Sequence, residues 1–411
     1  MSPTDDVAIL RQLASRYAEL AADSIQDQRR DLWRRHNSLQ RVGVPIYVRA
    51  FAWEELPESR LQCADPFWHP YESVMRQALF RARFADDYII EPWLEVRAAV
   101  IVPPEGVWGL PVHWHGRGGG GAGVWDPPLK DEADLARLHH PTHGVDEEAT
   151  AQRLGRVQDA IGDLLPLVVD RAPAYRMWDG DISTQLAYLR GLEQVMWDMI
   201  DRPAWLQQLL AHMRDGILRT HQQAEQAGHW TQANHQNQAM PYALELPDPA
   251  DDGRPVTRKQ LWTYCASQEL TGVGPRLWNE FMLQYQIPLM TPFGLSAYGC
   301  CEDLTHKIGL LRQIPNLRRI GVAPAADVPR CADQIGDAYV VSYRPSPADM
   351  VAYGWDEDRV RGILREDLTA CQRNGCIVDV TLKDVETVQG DPERIVRWVR
   401  IVREVADELW G

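Results

Sequence analysis

The sequence predicts an α/β protein, a (β/α)8 TIM barrel with an N-terminal helical and hairpin elaboration, and three observations predict it. From Pro166 to the C-terminus, short β-rich runs alternate with amphipathic helical segments. The runs are almost continuously apolar, as strands buried on both faces of a parallel sheet are. Seven or eight such units recur, a number that favours a closed barrel over an open sheet.

Taken in order, Ile9, Leu10, Leu13, Tyr17 and Leu20 recur at helical spacing, and the polar DQRRDLWRRH follows. "VGVPIYVRAF" is a short β-rich run, and "WHPYESVMRQALFRARF" a helix begun near Pro70. "EVRAAVIVPP" and "GVWGLPVHWH", joined by the turn-forming PPEG, predict a β-hairpin. Beyond them come "LPLVVDR", "HWTQANH", "LWTYCASQE", "LSAYGCC", "LRRIGVAP", "AYVVSYRP" and "GCIVDVTL" as strands. The clearest helix is DEDRVRGILREDLTACQRNG, with Val360, Ile363, Leu364, Leu368 and Cys371 on one face. The last, DPERIVRWVRIVREVADEL, has Asp391 placed to cap it and Pro392 at its first position. We read residues 1–411 as one domain, with 1–160 the elaboration and first barrel elements and 161–411 the main barrel.

Composition limits the partners. The chain is 45% hydrophobic and 25% charged, with a formal net charge of -15. That charge argues against nucleic acid or an anionic membrane surface as the main partner and leaves a small molecule. No apolar run approaches the about 18 residues of a membrane helix, and MSPTDDVAIL lacks the apolar core of a secretory signal. Seven cysteines, an odd number spread thinly, suit reduced thiols in the cytoplasm better than a disulfide framework.

In a barrel of this kind, residues at strand C-termini line the active-site mouth. That rule selects Asn234, His235, Gln268, Glu269, Cys300, Cys301, Glu302, Tyr343, Arg344, Lys383 and Asp384. Glu269 and Glu302 are candidate general acid/base groups, and Arg344, beside Tyr343, suits a substrate carboxylate. Asn234 and Gln268 are hydrogen-bonding types suited to a polar substrate. His235 is a candidate ligand, a satisfied rim histidine being as good a reading. Strand alternation turns only one of Cys300 and Cys301 inward, and Glu302 lies on the side of Cys300. In "VHWHGRGGGGAGVWDPP", His113 and His115 share one strand face, as metal- or substrate-binding pairs do. The glycine run lacks the phosphate-loop pattern and suits a mobile cover.

The stretch "SAYGCCEDLTHKIGLLRQIPNLRRIGVAPAADVPRCADQIGDAYVVSYRPSP", with the closing "GDPERIVRWV", resembles the uroporphyrinogen decarboxylase superfamily, over roughly residues 160 to 410. The nearer likeness is to its zinc-dependent, corrinoid-linked methyltransferases. The arginine-rich RQAGRY motif of the true decarboxylases is not found. The resemblance implies a zinc ion held by a His-x-Cys pair and a later cysteine. Here the pair falls on Tyr298-Gly299-Cys300, and "IVDVTLKDVET" has no cysteine. The resemblance makes Cys300 the inward cysteine and leaves Cys301 packed sideways against a helix, and the expected metal set is Cys300 with Glu302 and His235, joined by Glu269. The expected function is zinc-dependent methyl transfer from a small molecule to a thiol, or to a corrinoid carried by a partner protein. A lyase on the same barrel and a non-catalytic binding barrel are the alternatives, and a homodimer stays open.

Overall fold

A computed structural model describes residues 3–115 and 123–411. Its strands are β1 (Ile46–Val48), β2 (Leu94–Arg97), β3 (Ala99–Val100), β4 (His113–His115), β5 (Val124–Asp126), β6 (Val145–Asp146), β7 (Leu167–Asp170), β8 (Trp262–Cys265), β9 (Leu295–Tyr298), β10 (Leu317–Val322), β11 (Val340–Tyr343) and β12 (Ile377–Leu382). Six of them form a parallel sheet in the order β1-β12-β11-β10-β9-β8. Parallel neighbours need crossovers, and helices supply them: Gln284–Met290 follows β8, Val328–Ile335 follows β10 and Glu357–Arg373 follows β11. The fold is thus mixed α/β with a parallel sheet at its centre.

The two faces of this sheet differ in chemistry. Ile320, Val322, Val341, Tyr343, Val378, Val380 and Leu382 join the large apolar core with the helices. The alternate residues of the same strands, Arg319, Ser342, Asp379 and Thr381, are polar and still buried. A period of two puts these on the opposite face, where Asp379 accepts from Arg319 at 2.8 Å and from Ser342 Oγ at 3.1 Å. Lys383 and Arg344 continue this polar face past the strand ends, toward the Cys300 loop.

The predicted helices form as Pro3–Ala21, His69–Arg81, Glu357–Arg373 and Glu393–Trp410. The last helix begins one residue later than expected, with Pro392 at its N-cap position, and Asp391 Oδ1 accepts from Glu393 N at 3.1 Å from just outside it. Two strand expectations fail. The hairpin around PPEG does not form: β2 pairs in parallel with β7, while β3 pairs antiparallel with β6 and β4 antiparallel with β5. Leu94 and Val96 instead pack in an apolar cluster with the helices Pro3–Ala21, His69–Arg81 and Glu147–Ile161. "HWTQANH" makes a single bridge, Thr231 to Pro255, and then the 3-10 turn Gln232–Asn234. The Asn234 amide oxygen takes the Thr231 N–H at 2.8 Å and closes that turn against extension.

The hairpin β4/β5 rests its tryptophans, Trp114 and Trp125, on Tyr188, and Trp125 Nε1 donates to the Ala187 carbonyl. Gly118 to Gly121, on which the mobile cover was expected, lie outside the described residues. Among the described residues no helix is long and apolar enough to cross a membrane.

Candidate active site

The site begins where β9 ends. Tyr298 is its last residue, and Gly299 follows with φ +102, a left-handed conformation that glycine adopts without Cβ strain. A Cβ there would stand 2.7 Å from Leu304 Cδ1. This turn takes Cys300 and Cys301 out of strand geometry, so their side chains do not oppose each other. Both thiols converge on one lysine: Lys383 Nζ is 3.0 Å from Cys300 Sγ and 3.1 Å from Cys301 Sγ. The sulfurs are 3.4 Å apart. Cys300 is buried, and Cys301, expected to pack sideways against a helix, is exposed beside Asp384, 3.5 Å from its Oδ2.

The surroundings favour a negative charge on Cys300 and a proton on Cys301. The hydrogen bond from Cys301 and the nearby Lys383 and Arg344 cations outweigh burial and bring Cys300 down to about 5. Cys301, as the donor to that sulfur, is pushed up. Lys383 is held protonated by Cys300 and by Asp384 Oδ2 at 2.7 Å, against the burial that would discharge it. Asp384 itself has φ 54, uncommon for a non-glycine residue. Such outliers persist where the surroundings over-determine them.

Arg344 clamps the loop from below. Its Nη1 donates to the carbonyls of Gly299 at 2.7 Å and Cys300 at 2.9 Å. It passes over Gly321, where a Cβ would come within 2.9 Å of the guanidinium carbon. The expected carboxylate-binding arginine is therefore engaged with main chain. Glu302 is also taken up locally. It is wholly buried, and its oxygens accept from Ser267 N at 2.8 Å and Cys300 N at 2.7 Å, stapling the ends of β8 and β9. Burial raises its pKa in spite of those bonds. Each of its oxygens is thus already taken up by one main-chain donor.

The remaining expected residues lie apart from the thiols. His235 Nδ1 accepts from Trp262 N at 3.2 Å, at the first residue of β8. Because β8 and β9 run parallel with Trp262 opposite Leu295, His235 stands at the other end of the sheet from Cys300. A four-residue strand spans ~10 Å or more, so the two cannot share a metal. Burial brings the His235 ring down to about 4. Asn234 is spent on its turn and on Asp170 Oδ1, 2.8 Å from its Nδ2. Glu269 accepts from Ser183 Oγ at 2.6 Å and Thr184 Oγ1 at 2.8 Å, and Gln268 opens the same 3-10 turn. His113 and His115 are exposed on β4, with Asp126 opposite His113.

Tyr343 corrects the expectation most directly. Strand parity puts it with Val341 in the helix-side core, and its hydroxyl donates to Asp367 on Glu357–Arg373. It does not face the polar side of the sheet. Tyr343→Phe is expected to cost about 0.5–1.5 kcal/mol of stability, the net worth of one hydrogen bond, and to leave the pH profile of Cys300 alkylation unmoved. A changed profile would return Tyr343 to the site.

Three neighbours were not singled out from sequence. Tyr264 donates its hydroxyl to the Gly299 carbonyl at 3.1 Å and packs edge-on against Trp178, 5.2 Å between ring centroids. Arg49, one residue past β1, lies 6.0 Å from the centre of the Trp178 ring. Asp181 is wholly buried, its Oδ2 has no hydrogen-bond partner, and burial, with Glu269 and Glu302 nearby, holds its pKa well above the carboxylate range. Arg49 follows a run already read as a strand, so the strand-end rule reaches it; Asp181 lies deep in a loop, where nothing in the pattern flags it. A 270 Å³ pocket is lined by Asp384, Tyr353 and Glu386, and a 450 Å³ pocket by Arg49, Phe51, Trp53 and Glu386; neither cysteine lines them, and Asp384 is the link between the first and the thiols.

The donor set around Lys383 does not fit the zinc ion that the resemblance implies. Two sulfurs and the Asp384 carboxylate surround a point already held by the Lys383 ammonium. Among the described residues, no three His, Cys, Asp or Glu side chains are grouped to hold a metal. Comparison with known proteins matches the chain to no family model and to no curated protein.

Proposed function

We propose that this protein is a group-transfer enzyme for a small molecule, in which the Cys300 thiolate, paired with the Lys383 ammonium, is the nucleophile that accepts the group. The observation that carries this is the convergence of both thiols on Lys383 at strand C-termini, with Asp384, which meets Lys383 and Cys301, on the wall of a 270 Å³ pocket. A thiolate is the reactive form of cysteine, and a neighbouring cation keeps it ionised at neutral pH. The lysine supplies here what a metal would supply elsewhere. The fold belongs to the same proposal. Closure into a (β/α)8 barrel of uroporphyrinogen-decarboxylase-like type is supported by the parallel β2/β7 pair, the Asn234–Asp170 bond, and the Gln236 N to Trp262 O link toward β8.

The methyl group is the cargo that the sequence resemblance suggests. In that step Cys300 sulfur forms a bond to the methyl carbon as the carbon–leaving-group bond breaks. The electron pair departs with the leaving atom, which takes a proton from solvent. A thiolate acceptor would then attack the methyl carbon as its bond to the Cys300 sulfur breaks, and the electron pair returns to Cys300 as the thiolate; a corrinoid on a partner protein is the other acceptor. The test is to incubate the protein with a panel of methylated small molecules and map the peptide that carries residues 300 and 301. A methyl on Cys300 that disappears on adding a thiol supports the proposal. Turnover without label on Cys300, and undiminished in Cys300→Ser, sinks it.

Asp181 favours a second reading. A buried carboxyl held protonated, with one oxygen unpartnered, can deliver a proton to a carbon or heteroatom as its bond is cleaved. In this lyase reading, Asp181→Asn stops turnover while Cys300→Ser does not.

A further inference from the structure

Apart from its ionisation, the thiol pair has a property that transfer chemistry does not use. Adjacent cysteines in an extended strand point to opposite faces. Here the turn at Gly299 brings the two sulfurs to 3.4 Å, with Cys301 open to solvent and Cys300 buried behind it. The other five cysteines, Cys63, Cys265, Cys331, Cys371 and Cys376, are all buried. A small reagent therefore meets this pair first. Lys383 touches both sulfurs and can stabilise negative charge on either.

We propose that Cys300 and Cys301 form a redox-modification site, closed to a disulfide between neighbouring residues by exchange with low-molecular-weight disulfides and reopened by thiols. The chemistry belongs to the pair itself and holds whether or not the site transfers a group. In the first step a thiolate of the pair attacks one sulfur of the small disulfide. A mixed disulfide forms and one small thiolate leaves. In the second step the other cysteine, having lost its proton to solvent, attacks the protein sulfur of the mixed disulfide and expels the second small thiolate. Two electrons pass from the cysteines to the small disulfide, which ends as two thiols once those thiolates take up protons.

Closure requires the sulfurs to come from 3.4 Å to a bond of about 2.05 Å, which takes side-chain rotation and an adjustment of the backbone between the two residues. Reopening is favoured by geometry as well. Consecutive α-carbons are ~3.8 Å apart across a trans peptide, less than the roughly 4.4–6.8 Å that disulfides prefer. Such a bond is strained, and strained disulfides are the reducible, regulatory ones. Oxidation would remove the sulfur charge beside Lys383 and close the nucleophile to substrate.

The experiment treats the full-length reduced protein with oxidised glutathione and follows the 300–301 peptide by mass. The expected product is that peptide short of two hydrogens, restored by dithiothreitol, with the five buried cysteines still reduced. Cys301→Ser and Cys300→Ser should each stop at a glutathione adduct on the remaining cysteine, since neither has a resolving thiol. The wild-type measurement decides the matter even if a variant folds poorly. A wild-type peptide that stays reduced, or that keeps a stable glutathione adduct, overturns the proposal. Failure of methyl transfer with normal disulfide closure would count against the transfer reading alone.

Discussion

Replacing Lys383 by methionine is expected to raise the pH at which Cys300 becomes alkylatable, moving the inflection up from about 5 by ~1–3 units, the usual effect of removing a neighbouring opposite charge. The sign follows from the contacts. The hydrogen bond from Cys301 favours the Cys300 thiolate first, the Lys383 charge next, and burial opposes both. Methionine removes the charge and leaves the burial. A rate at one pH would mislead, because two effects oppose each other. At pH 7 the variant has a smaller thiolate fraction, but a thiolate of higher pKa is intrinsically more nucleophilic, with a Brønsted slope of about 0.4–0.5. For a shift of this size the gain in nucleophilicity outweighs the loss of thiolate, and the neutral rate rises by about two- to fourfold although the pKa has gone up. The pH profile of iodoacetamide labelling separates them. Wild type should already be on its plateau at neutral pH, while Lys383→Met is still rising, and Lys383→Arg should keep the low inflection. An unmoved inflection in Lys383→Met would show that the lysine does not hold the thiolate.

The sequence carried the sheet better than it carried the site, and the reason lies in particular residues. β8 to β12 were legible because a continuous apolar run between amphipathic helices buries both its faces only as a strand of a helix-covered parallel sheet. "HWTQANH" was misjudged because an asparagine amide bonding back to its own turn competes with strand pairing. The hairpin at PPEG failed because Leu94 and Val96 find β7, far away in sequence, which no local pattern reveals. Among site residues, the strand-end rule selected Cys300, Cys301, Lys383 and Asp384, and these do meet. The same rule is blind to face, and so it admitted Tyr343, whose parity sends it to the helices. It is equally blind to which end of a strand a neighbouring loop reaches, and so it admitted His235. Glu302 shows a third gap: a carboxylate near a nucleophile reads as chemistry until its two main-chain donors are seen.

Asp379→Asn is expected to cost about 3–5 kcal/mol of stability, the range for breaking a buried ion pair. Asp379 and Arg319 are both almost wholly buried, 2.8 Å apart, on the polar face of the sheet. The carboxylate also receives His36 Nε2 at 3.1 Å and Ser342 Oγ at 3.1 Å, and Arg319 gives a further bond to Asn37 Oδ1 at 2.8 Å. Burial pushes the Asp379 pKa up, but Arg319, His36 and Ser342 outweigh it, and the group ends below its ordinary value. A carboxyl depressed in the fold contributes stability that is present above its unfolded pKa, about 3.9, and is lost as pH falls through the folded value. The variant should therefore be less stable at neutral pH and should lack that part of the acid-induced loss. Asparagine keeps the shape but leaves the Arg319 cation buried without a counter-charge, which water cannot solvate there. Urea unfolding measured from pH 7 down to pH 3 reads both effects. Asp163→Asn, which breaks the solvent-exposed pair with Arg11, is the control and should leave the midpoint where it is. If Asp379→Asn matches that control, the buried network is not what holds the sheet. Asp379, Thr381 and Lys383 lie on one face by strand parity. A loosened Asp379 should therefore also blur the Cys300 pH profile, because the strand that anchors the network is the one that delivers the lysine.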